Sequence, residues 1–185
     1  MPGNLIYVSG PSGSGKDSLL RYAREQLSVH VGICFAHRYI TRAADAGGEN
    51  HIALSQEEFA ARSNEDLFAL QWASNGLRYG IGVEIDLWLD KGLTVVMNGS
   101  REYLPQARMR YPRIVQVEIT VQDSMLRERL LARGRESIEQ VEQRLTRNRL
   151  LEHLSGQAAI IRNDGDLELG GQALTSLILR YAGQA

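Results

Sequence analysis

The segment Gly10–Ser18, with the sequence GPSGSGKDS, is the feature that most constrains the fold of this chain. It follows a short apolar run at 5–9 and precedes a segment at 18–27 whose apolar residues have helical spacing. A G-x-x-x-x-G-K pattern between a strand and a helix is typical of a loop whose backbone N–H groups bind phosphate oxygens. The sequence therefore predicts a nucleoside triphosphate site in an α/β fold. A glycine-rich turn that merely caps a helix is the alternative.

Two residues of this loop carry the expected chemistry. Lys16 can reach the β- and γ-phosphates, which makes it a candidate catalytic residue. Asp17 stands where the pattern usually has a Ser or Thr that binds Mg²⁺, and Ser18 follows one residue later. Asp17 either binds Mg²⁺, directly or through water, or acts only as a negative charge in the first helical turn. The predicted nucleotide-binding residues of the loop are Gly10, Pro11, Ser12, Gly13, Ser14, Gly15, Lys16, Asp17 and Ser18.

Length and charge limit the other classes of function. A chain of 185 residues fits one domain, and a net charge of −1 gives no whole-molecule argument for binding nucleic acid or a membrane. Its single cysteine excludes an internal disulfide. There is no signal-peptide pattern at the N-terminus and no run of about 18 apolar residues. We expect a soluble, cytoplasmic protein that binds neither nucleic acid nor membrane, and we leave open whether it forms a homodimer.

Strands and helices alternate along the chain, which predicts a single kinase domain over residues 1–185. Its core is expected at 1–36, 82–125 and 154–185, with buried strands at 31–36 and 93–97 and a strand at 113–120 that Glu118 interrupts. Asn75-Gly76 between two apolar segments is a strong hairpin signal. The hairpin interrupts the alternation, so we expect residues from about 37 to 81 to form a small insert that binds the acceptor.

Arginines are concentrated near the end of the chain, with seven between positions 127 and 149. We interpret Arg127 and Arg129 as surface residues in i,i+4 ion pairs with glutamates. Four further arginines of this segment flank a turn or recur on one helical face, as expected of cations that neutralise a transferring phosphoryl group. They are Arg133, Arg135, Arg144 and Arg147. Residues from about 126 to 153 are therefore predicted to form a lid.

Several short motifs, taken in order, resemble the guanylate kinase family over almost the full chain. They are GPSGSGKDS, Thr41-Arg42, the W-A-x-x-x-G-x-x-Y-G pattern from Trp72 to Gly80, Arg133-Gly134, Arg144-Leu145 and I-x-N-D from Ile161 to Asp164. This resemblance implies a P-loop NTPase fold, with a central parallel sheet flanked by helices, an acceptor-binding insert and an arginine-rich lid. It also implies that ATP and Mg²⁺ are bound.

The same resemblance assigns individual residues. Arg42 and Tyr79 would hold the phosphate of the acceptor, and Asn163 would lie against adenine. Arg133, Arg144 and Arg147 would be catalytic residues of the lid.

The chain departs from guanylate kinases where those enzymes recognise their acceptor. Gln71 replaces a glutamate that contacts guanine, and Ile81 and Ser100 replace a hydroxyl and an aspartate that read the base. His51 replaces a tyrosine that holds phosphate, and an additional cation, Arg38, replaces a serine. These changes indicate an acceptor with another anionic group in place of a base. The predicted acceptor-binding residues are Arg38, Arg42, Gln71, Tyr79 and Ser100.

Together with the G-K-D-S end of the loop, these departures resemble the ribose 1,5-bisphosphate phosphokinases of bacterial phosphonate catabolism. That resemblance implies transfer of the γ-phosphoryl group of ATP to the 1-phosphate of ribose 1,5-bisphosphate, which yields 5-phosphoribosyl 1-diphosphate (PRPP) and ADP. The residues alone predict only a P-loop kinase of a small phosphorylated acceptor. Two alternatives are a nucleoside monophosphate kinase with altered base contacts and a non-catalytic guanylate-kinase-like binding module. Intact Gly15-Lys16 argues against the latter.

Overall fold

The computed structural model describes residues 2–46, 49–132, 134, 137–151, 156 and 158–183. The strands in this part of the chain are β1 (Leu5–Ser9), β2 (Ile33–Phe35), β3 (Arg38–Ile40), β4 (Ile52–Ala53), β5 (Phe68–Ser74), β6 (Leu77–Gly82), β7 (Thr94–Asn98), β8 (Val115–Thr120) and β9 (Ala159–Arg162). The α-helices are α1 (Lys16–Gln26), α2 (Gln56–Asn64), α3 (Glu84–Asp90), α4 (Leu104–Arg110), α5 (Asp123–Ala132), α6 (Ile138–Leu151) and α7 (Leu167–Ala182).

A five-stranded parallel sheet in the order β2-β7-β1-β8-β9 forms the centre of the molecule. Both faces are covered: one buried cluster joins β1 and β7 to α3 and α4, and a second joins the sheet to α1 and α7. Burial on both faces explains why β1 and β7 read as continuous apolar runs. The carboxyl ends of these strands meet at one edge, where ligands of open α/β sheets bind.

A second sheet of four strands, in the order β4-β3-β6-β5, comes from the segment predicted as an insert. Strands β5 and β6 form the expected hairpin, and Asn75 (φ 51°) and Gly76 (φ 74°) both have the positive φ that a tight two-residue turn requires. Phe59 on α2 stacks on Phe68 of β5 with ring centroids 4.5 Å apart, so a small core of its own supports this sheet.

Two details of the predicted strands are wrong. Strand β2 is shorter than 31–36, and its residues are only half-buried because the strand lies at the sheet edge and pairs on one side alone. Val31, ahead of it, is almost fully exposed. Glu118 does not interrupt β8, because its carboxylate is buried within a continuous strand and is paired there.

Candidate active site

The glycine-rich loop joins the end of β1 to the start of α1 at the carboxyl edge of the parallel sheet. Gly13 (φ 98°) and Gly15 (φ 83°) adopt a conformation that L-residues with a Cβ rarely adopt. A Cβ on Gly15 would also clash with Nδ2 of Asn163. The loop therefore needs glycine for its backbone path and for its close contact with the strand end at Asn163.

Lys16 and Asp17 are joined by one amide from the neighbouring strand. Nζ of Lys16 donates to Oδ1 of Asn98 at 2.8 Å, and Nδ2 of Asn98 donates to Oδ1 of Asp17 at 2.9 Å. Lys16 Nζ also lies 3.3 Å from the same Asp17 oxygen. Asn98 is the last residue of β7 and pairs in register with Val8 of β1, which holds its side chain beside the loop.

Burial and charge act against each other on these two ionisable groups. Burial lowers the pKa of Lys16, and the adjacent Asp17 carboxylate opposes that change. The charge of Lys16 holds the pKa of Asp17 below its usual value, although partial burial of the carboxyl opposes this. A cation and an anion thus stand side by side at the start of α1.

Arg38 and Arg42 converge on one carboxylate, that of Glu49, in the same site. Nε of Arg38 donates to Oε2 of Glu49 at 2.7 Å, and Nη2 of Arg38 donates to Oε1 of the same carboxylate. Nη2 of Arg42 lies 3.6 Å from that Oε1 and 3.2 Å from Nδ1 of His51. The Arg38 guanidinium also lies over the Tyr79 ring, 5.1 Å from its centroid.

Three aromatic rings stack beside these arginines. The Trp72 ring lies 5.5 Å from that of Tyr79 and 5.4 Å from that of Tyr103, centroid to centroid, with nearly parallel planes. Trp72 comes from β5, Tyr79 from β6 and Tyr103 from the segment before α4, so the stack joins the second sheet to the main body. This contact fixes Tyr79 next to Arg38.

Helix α6 brings its arginines to the same place. Arg147 pairs with Glu102, with Nη2 2.7 Å from Oε2, and both residues line the site together with Arg144. Nη1 of Arg101 donates to Oδ1 of Asn148 at 2.7 Å and ties the helix to the end of β7.

The loop, the arginine pair and α6 surround one cavity of about 380 Å³. Most of the predicted site residues line it: Gly10, Pro11, Ser12, Gly13, Gly15, Lys16, Asp17, Ser18, Arg38, Arg42, Tyr79, Ser100, Arg144 and Arg147. The structure brings these residues together although they lie far apart in the sequence.

Four predicted residues do not line this cavity or cannot be assigned to it. Gln71 has an exposed side chain that accepts a hydrogen bond from Ser63 Oγ at 2.8 Å. Ser14 is buried, and its carbonyl accepts from Nδ2 of Asn163, which is itself buried, at 2.6 Å. Arg133, like Arg135, lies outside the described residues.

The interpretation of Arg129 as a surface residue in an ion pair is wrong. Arg129 was expected to form a surface ion pair on its own helix, but its Nη2 donates to the carbonyl of Asn163 at 2.9 Å and its Nη1 to that of Ser14 at 3.4 Å. Arg129 therefore stabilises the phosphate loop and the adjoining backbone at Asn163 by hydrogen bonds to their carbonyls. Arg127 does form a surface ion pair, but with Glu142 of α6.

Sequence reasoning missed Asn98, Glu49 and Arg101 as residues of the site. A signal existed for Asn98 and Arg101, since both belong to the polar segment at the carboxyl end of β7. Glu49 lies in a glycine-rich loop, where no pattern connects it to Arg38.

A carboxylate next to a phosphate loop fits Mg²⁺, which binds through few protein oxygens and keeps water and substrate phosphates as its other ligands. Among the described residues, no group of three or more His, Cys, Asp or Glu side chains could hold a metal ion. No helix in the described ranges is long and apolar enough to cross a membrane.

The fold is that of a guanylate kinase. The crystal structure of guanylate kinase from Anaplasma phagocytophilum is similar with a TM-score of 0.70 at 18% identity, and the similarity covers 97% of this chain and 86% of that chain. The predicted guanylate-kinase-like α/β fold is thus confirmed, and the class of protein is that of α/β proteins with this fold and a glycine-rich phosphate loop.

Comparison with curated proteins narrows the class to one family. Proteins named ribose 1,5-bisphosphate phosphokinase PhnN are 54% identical in Thiobacillus denitrificans, 53% in Desulfomicrobium baculatum and 51% in Chromobacterium violaceum. The matches cover 95%, 95% and 93% of this chain and 93%, 94% and 91% of those proteins. No protein-family model matches the chain. The chain belongs to the ribose 1,5-bisphosphate phosphokinase family, which confirms the resemblance inferred from its motifs.

Proposed function

We propose that this chain transfers the γ-phosphoryl group of ATP to ribose 1,5-bisphosphate. An oxygen of the 1-phosphate forms a bond to the γ-phosphorus, the bond from that phosphorus to the β–γ bridging oxygen breaks, and ADP and PRPP leave. The observation that carries the proposal is that one cavity is lined both by the phosphate loop, its proposed donor end, and by Arg38 and Arg42, its proposed acceptor end. Family membership supports the choice of acceptor.

The phosphate loop would hold the nucleotide. Its N–H groups and the start of α1 favour phosphate oxygens, and Lys16 supplies a positive charge where the β- and γ-phosphates would lie. Mg²⁺, when bound, supplies charge neutralisation across those phosphates. Asp17 is the residue that would bind the ion or one of its waters, and its depressed pKa keeps it ionised.

The donor end needs cations that act on the transferring group. Arg144 and Arg147 line the cavity on α6 and are proposed to neutralise charge that develops in the transition state. Arg133 is proposed for the same role from the sequence pattern alone.

The acceptor end would bind phosphate and sugar without reading a base. Arg42 and Arg38 offer planar guanidinium groups that suit bidentate phosphate binding, and the ring of Tyr79 lies against Arg38. Ser100 lines the same cavity and is proposed to contact the sugar. Gln71 is not included, because its amide is bonded to Ser63 on the other face of β5.

Asn163 is proposed to contact adenine through its side-chain oxygen, Oδ1. Its Nδ2 is used by the loop, whereas its buried Oδ1 has no hydrogen-bond partner among the described residues. An adenine amino group could donate to that oxygen. Because ATP is the donor, we propose that the reaction takes place in the cytoplasm.

An assay of ADP release tests the proposal directly. Ribose 1,5-bisphosphate, GMP and AMP are presented separately with ATP and Mg²⁺, and the sugar product is identified by its mass. We expect rapid turnover with ribose 1,5-bisphosphate and little or none with GMP and AMP. Efficient use of GMP would indicate a nucleoside monophosphate kinase, and no turnover with any acceptor would favour a binding module.

A further inference from the structure

Glu49 is the acidic residue at the acceptor end of the cavity. Its carboxylate is only 12% exposed and receives two hydrogen bonds from Arg38. Arg42 approaches one of the same oxygens to 3.6 Å, and Nδ2 of Asn98 lies 3.5 Å from the other. One negative charge therefore compensates two guanidinium groups that would otherwise repel each other.

The carboxylate occupies a position that would equally suit a phosphate. Arg binds carboxylates and phosphates with the same planar set of donors, so the two anions compete for it. Nε of Arg42 is buried and has no hydrogen-bond partner among the described residues. The arginine pair thus has donor capacity beyond what Glu49 uses, and both arginines line the cavity.

We propose that Glu49 is an exchangeable counter-anion, which holds Arg38 and Arg42 in the free enzyme and is displaced by a phosphate group of the acceptor. The identity of that acceptor rests on the function proposed above, but the exchange itself requires only a phosphate. A phosphate dianion competes better than a singly charged group, so Glu49 makes the site selective for highly charged acceptors.

Displacement of Glu49 also changes the contacts of Asn98, which bonds two residues of the phosphate loop. Asn98, which lies near Glu49, bonds Lys16 and Asp17 through the same amide. When the Glu49 carboxylate moves away, Nδ2 of Asn98 loses its contact with Glu49 and keeps its hydrogen bond to Asp17. Occupancy of the acceptor end is thereby linked to the group that lies beside the nucleotide phosphates.

A fixed structural brace is the competing explanation for the same contacts. In that case Glu49 stays on Arg38 throughout the reaction, and the acceptor binds only the remaining donors of Arg42. The two explanations predict opposite effects of Glu49→Gln, which removes the charge and nearly preserves the shape. A lost competitor tightens acceptor binding, whereas a lost brace weakens it.

Calorimetric titration of ribose 1,5-bisphosphate into the full chain without ATP measures this directly. We expect the dissociation constant of Glu49→Gln to fall by about tenfold relative to the native protein, in line with one charge-assisted contact. An unchanged or raised constant would overturn the proposal. Glu142→Gln is the matched control, since it removes the same charge from an exposed pair with Arg127 and should leave the constant unchanged.

Two further measurements keep the result interpretable. If Glu49→Gln does not fold, Glu49→Asp replaces it. The shorter side chain holds its carboxylate farther from the arginines and competes less with phosphate, so acceptor binding should also be tighter. If the native protein does not use ribose 1,5-bisphosphate, the proposed function fails, and titration with inorganic phosphate in the presence of ADP and Mg²⁺ still tests Glu49. Tighter phosphate binding by the variant supports the exchange, and equal or weaker binding refutes it.

Discussion

Asn98 illustrates how a single side chain can organise a charged site. Its side-chain oxygen accepts from Lys16 and its amino group donates to Asp17. The acceptor end of the amide thus faces the cation, and the donor end faces the anion. Burial lowers the pKa of Lys16, and the neighbouring carboxylate opposes that effect. The amide fixes the direction of both side chains without adding a charge of its own.

Lys16→Ala should lower turnover by orders of magnitude while the protein stays folded. Its charge is expected to act mainly on the phosphoryl group in transfer, so the maximal rate falls more than the affinity for ATP. Steady-state kinetics with a circular dichroism melt provides the measurement. Lys91→Ala, the other lysine of the chain and an exposed one, is the control and should be fully active. Undiminished activity of folded Lys16→Ala would refute the kinase mechanism.

Asp17→Asn should raise the concentration of Mg²⁺ needed for half-maximal activity, because an amide oxygen is a weaker ligand for this ion than a carboxylate. The same shift is expected in the Mg²⁺ dependence of ADP binding measured by calorimetry, which does not depend on turnover. If both dependences equal those of the native protein, Asp17 serves only as a favourable charge in the first turn of α1.

Motif spacing was sufficient to predict the residues of the phosphate loop that line the cavity. It could not predict Glu49, because eleven positions separate it from Arg38 and the contact exists only through the fold. It also misassigned Arg129, since a helical arginine near glutamates has the same local pattern whether it faces solvent or the loop.

At the level of elements, a buried polar network joins β8, β1 and α6. Ser9, immediately before the loop, donates to Glu118 at 2.6 Å, and Glu118 lies 3.6 Å from Arg101. Arg101 in turn bonds Asn148 of α6. Burial raises the pKa of Glu118, and the bond from Ser9 and the charge of Arg101 oppose that rise. This network connects the start of the phosphate loop with the helix that carries Arg144 and Arg147.

Glu118→Ala should destabilise the protein by about 3 to 5 kcal/mol, because it breaks a buried ion pair and removes the acceptor of the Ser9 hydroxyl. Glu118→Gln should cost less, since an amide can still accept from Ser9. Urea unfolding followed by circular dichroism measures both. Glu142→Ala breaks an exposed pair and is expected to change stability by about 1 kcal/mol or less. A comparable loss in the control would contradict the role of burial.

Local signals predicted those elements whose determinants are local. The S-x-x-E/Q spacing of a capping box is visible in the sequence at both sites: Ser55 and Glu58 bond reciprocally at the start of α2, and Ser137 and Gln140 do so ahead of α6. Two short strands of the second sheet, β3 and β4, pair with each other only because the fold aligns them. Strands of two or three residues carry too little pattern for their pairing to be predicted from sequence.

At the scale of the whole molecule, the main sheet supplies the phosphate loop, and the segment forming the second sheet supplies Arg38 and Arg42, the arginines proposed to bind the acceptor. Parallel order and the loop motif were enough to predict where the phosphate loop lies in the fold. The acceptor could not be derived in this way, because a pair of arginines indicates a phosphate and says nothing about the sugar that carries it. Only family membership supplies that choice.

Since the two ends of the cavity are built from different parts of the chain, each ligand should bind and stabilise the protein in the absence of the other. A ligand at about one hundred times its dissociation constant adds about 2.7 kcal/mol. For a chain of this size that corresponds to a rise of about 5 to 10 °C in melting temperature. We expect such a rise with ATP and Mg²⁺ and also with ribose 1,5-bisphosphate, each measured alone by differential scanning calorimetry.

Two substitutions should separate these rises. Arg42→Ala should reduce the rise caused by ribose 1,5-bisphosphate to about half and keep that caused by ATP, because the loss of one charge-assisted partner weakens acceptor binding by about tenfold. Gly15→Ala should do the reverse, since a Cβ at this positive φ would clash with Asn163 and displace the loop that binds the nucleotide. Comparing each variant with and without ligand removes any change in its intrinsic stability. Loss of both rises in either variant would mean that the two ends of the cavity do not bind separately, and a rise with GMP equal to that with the sugar would contradict the proposed acceptor.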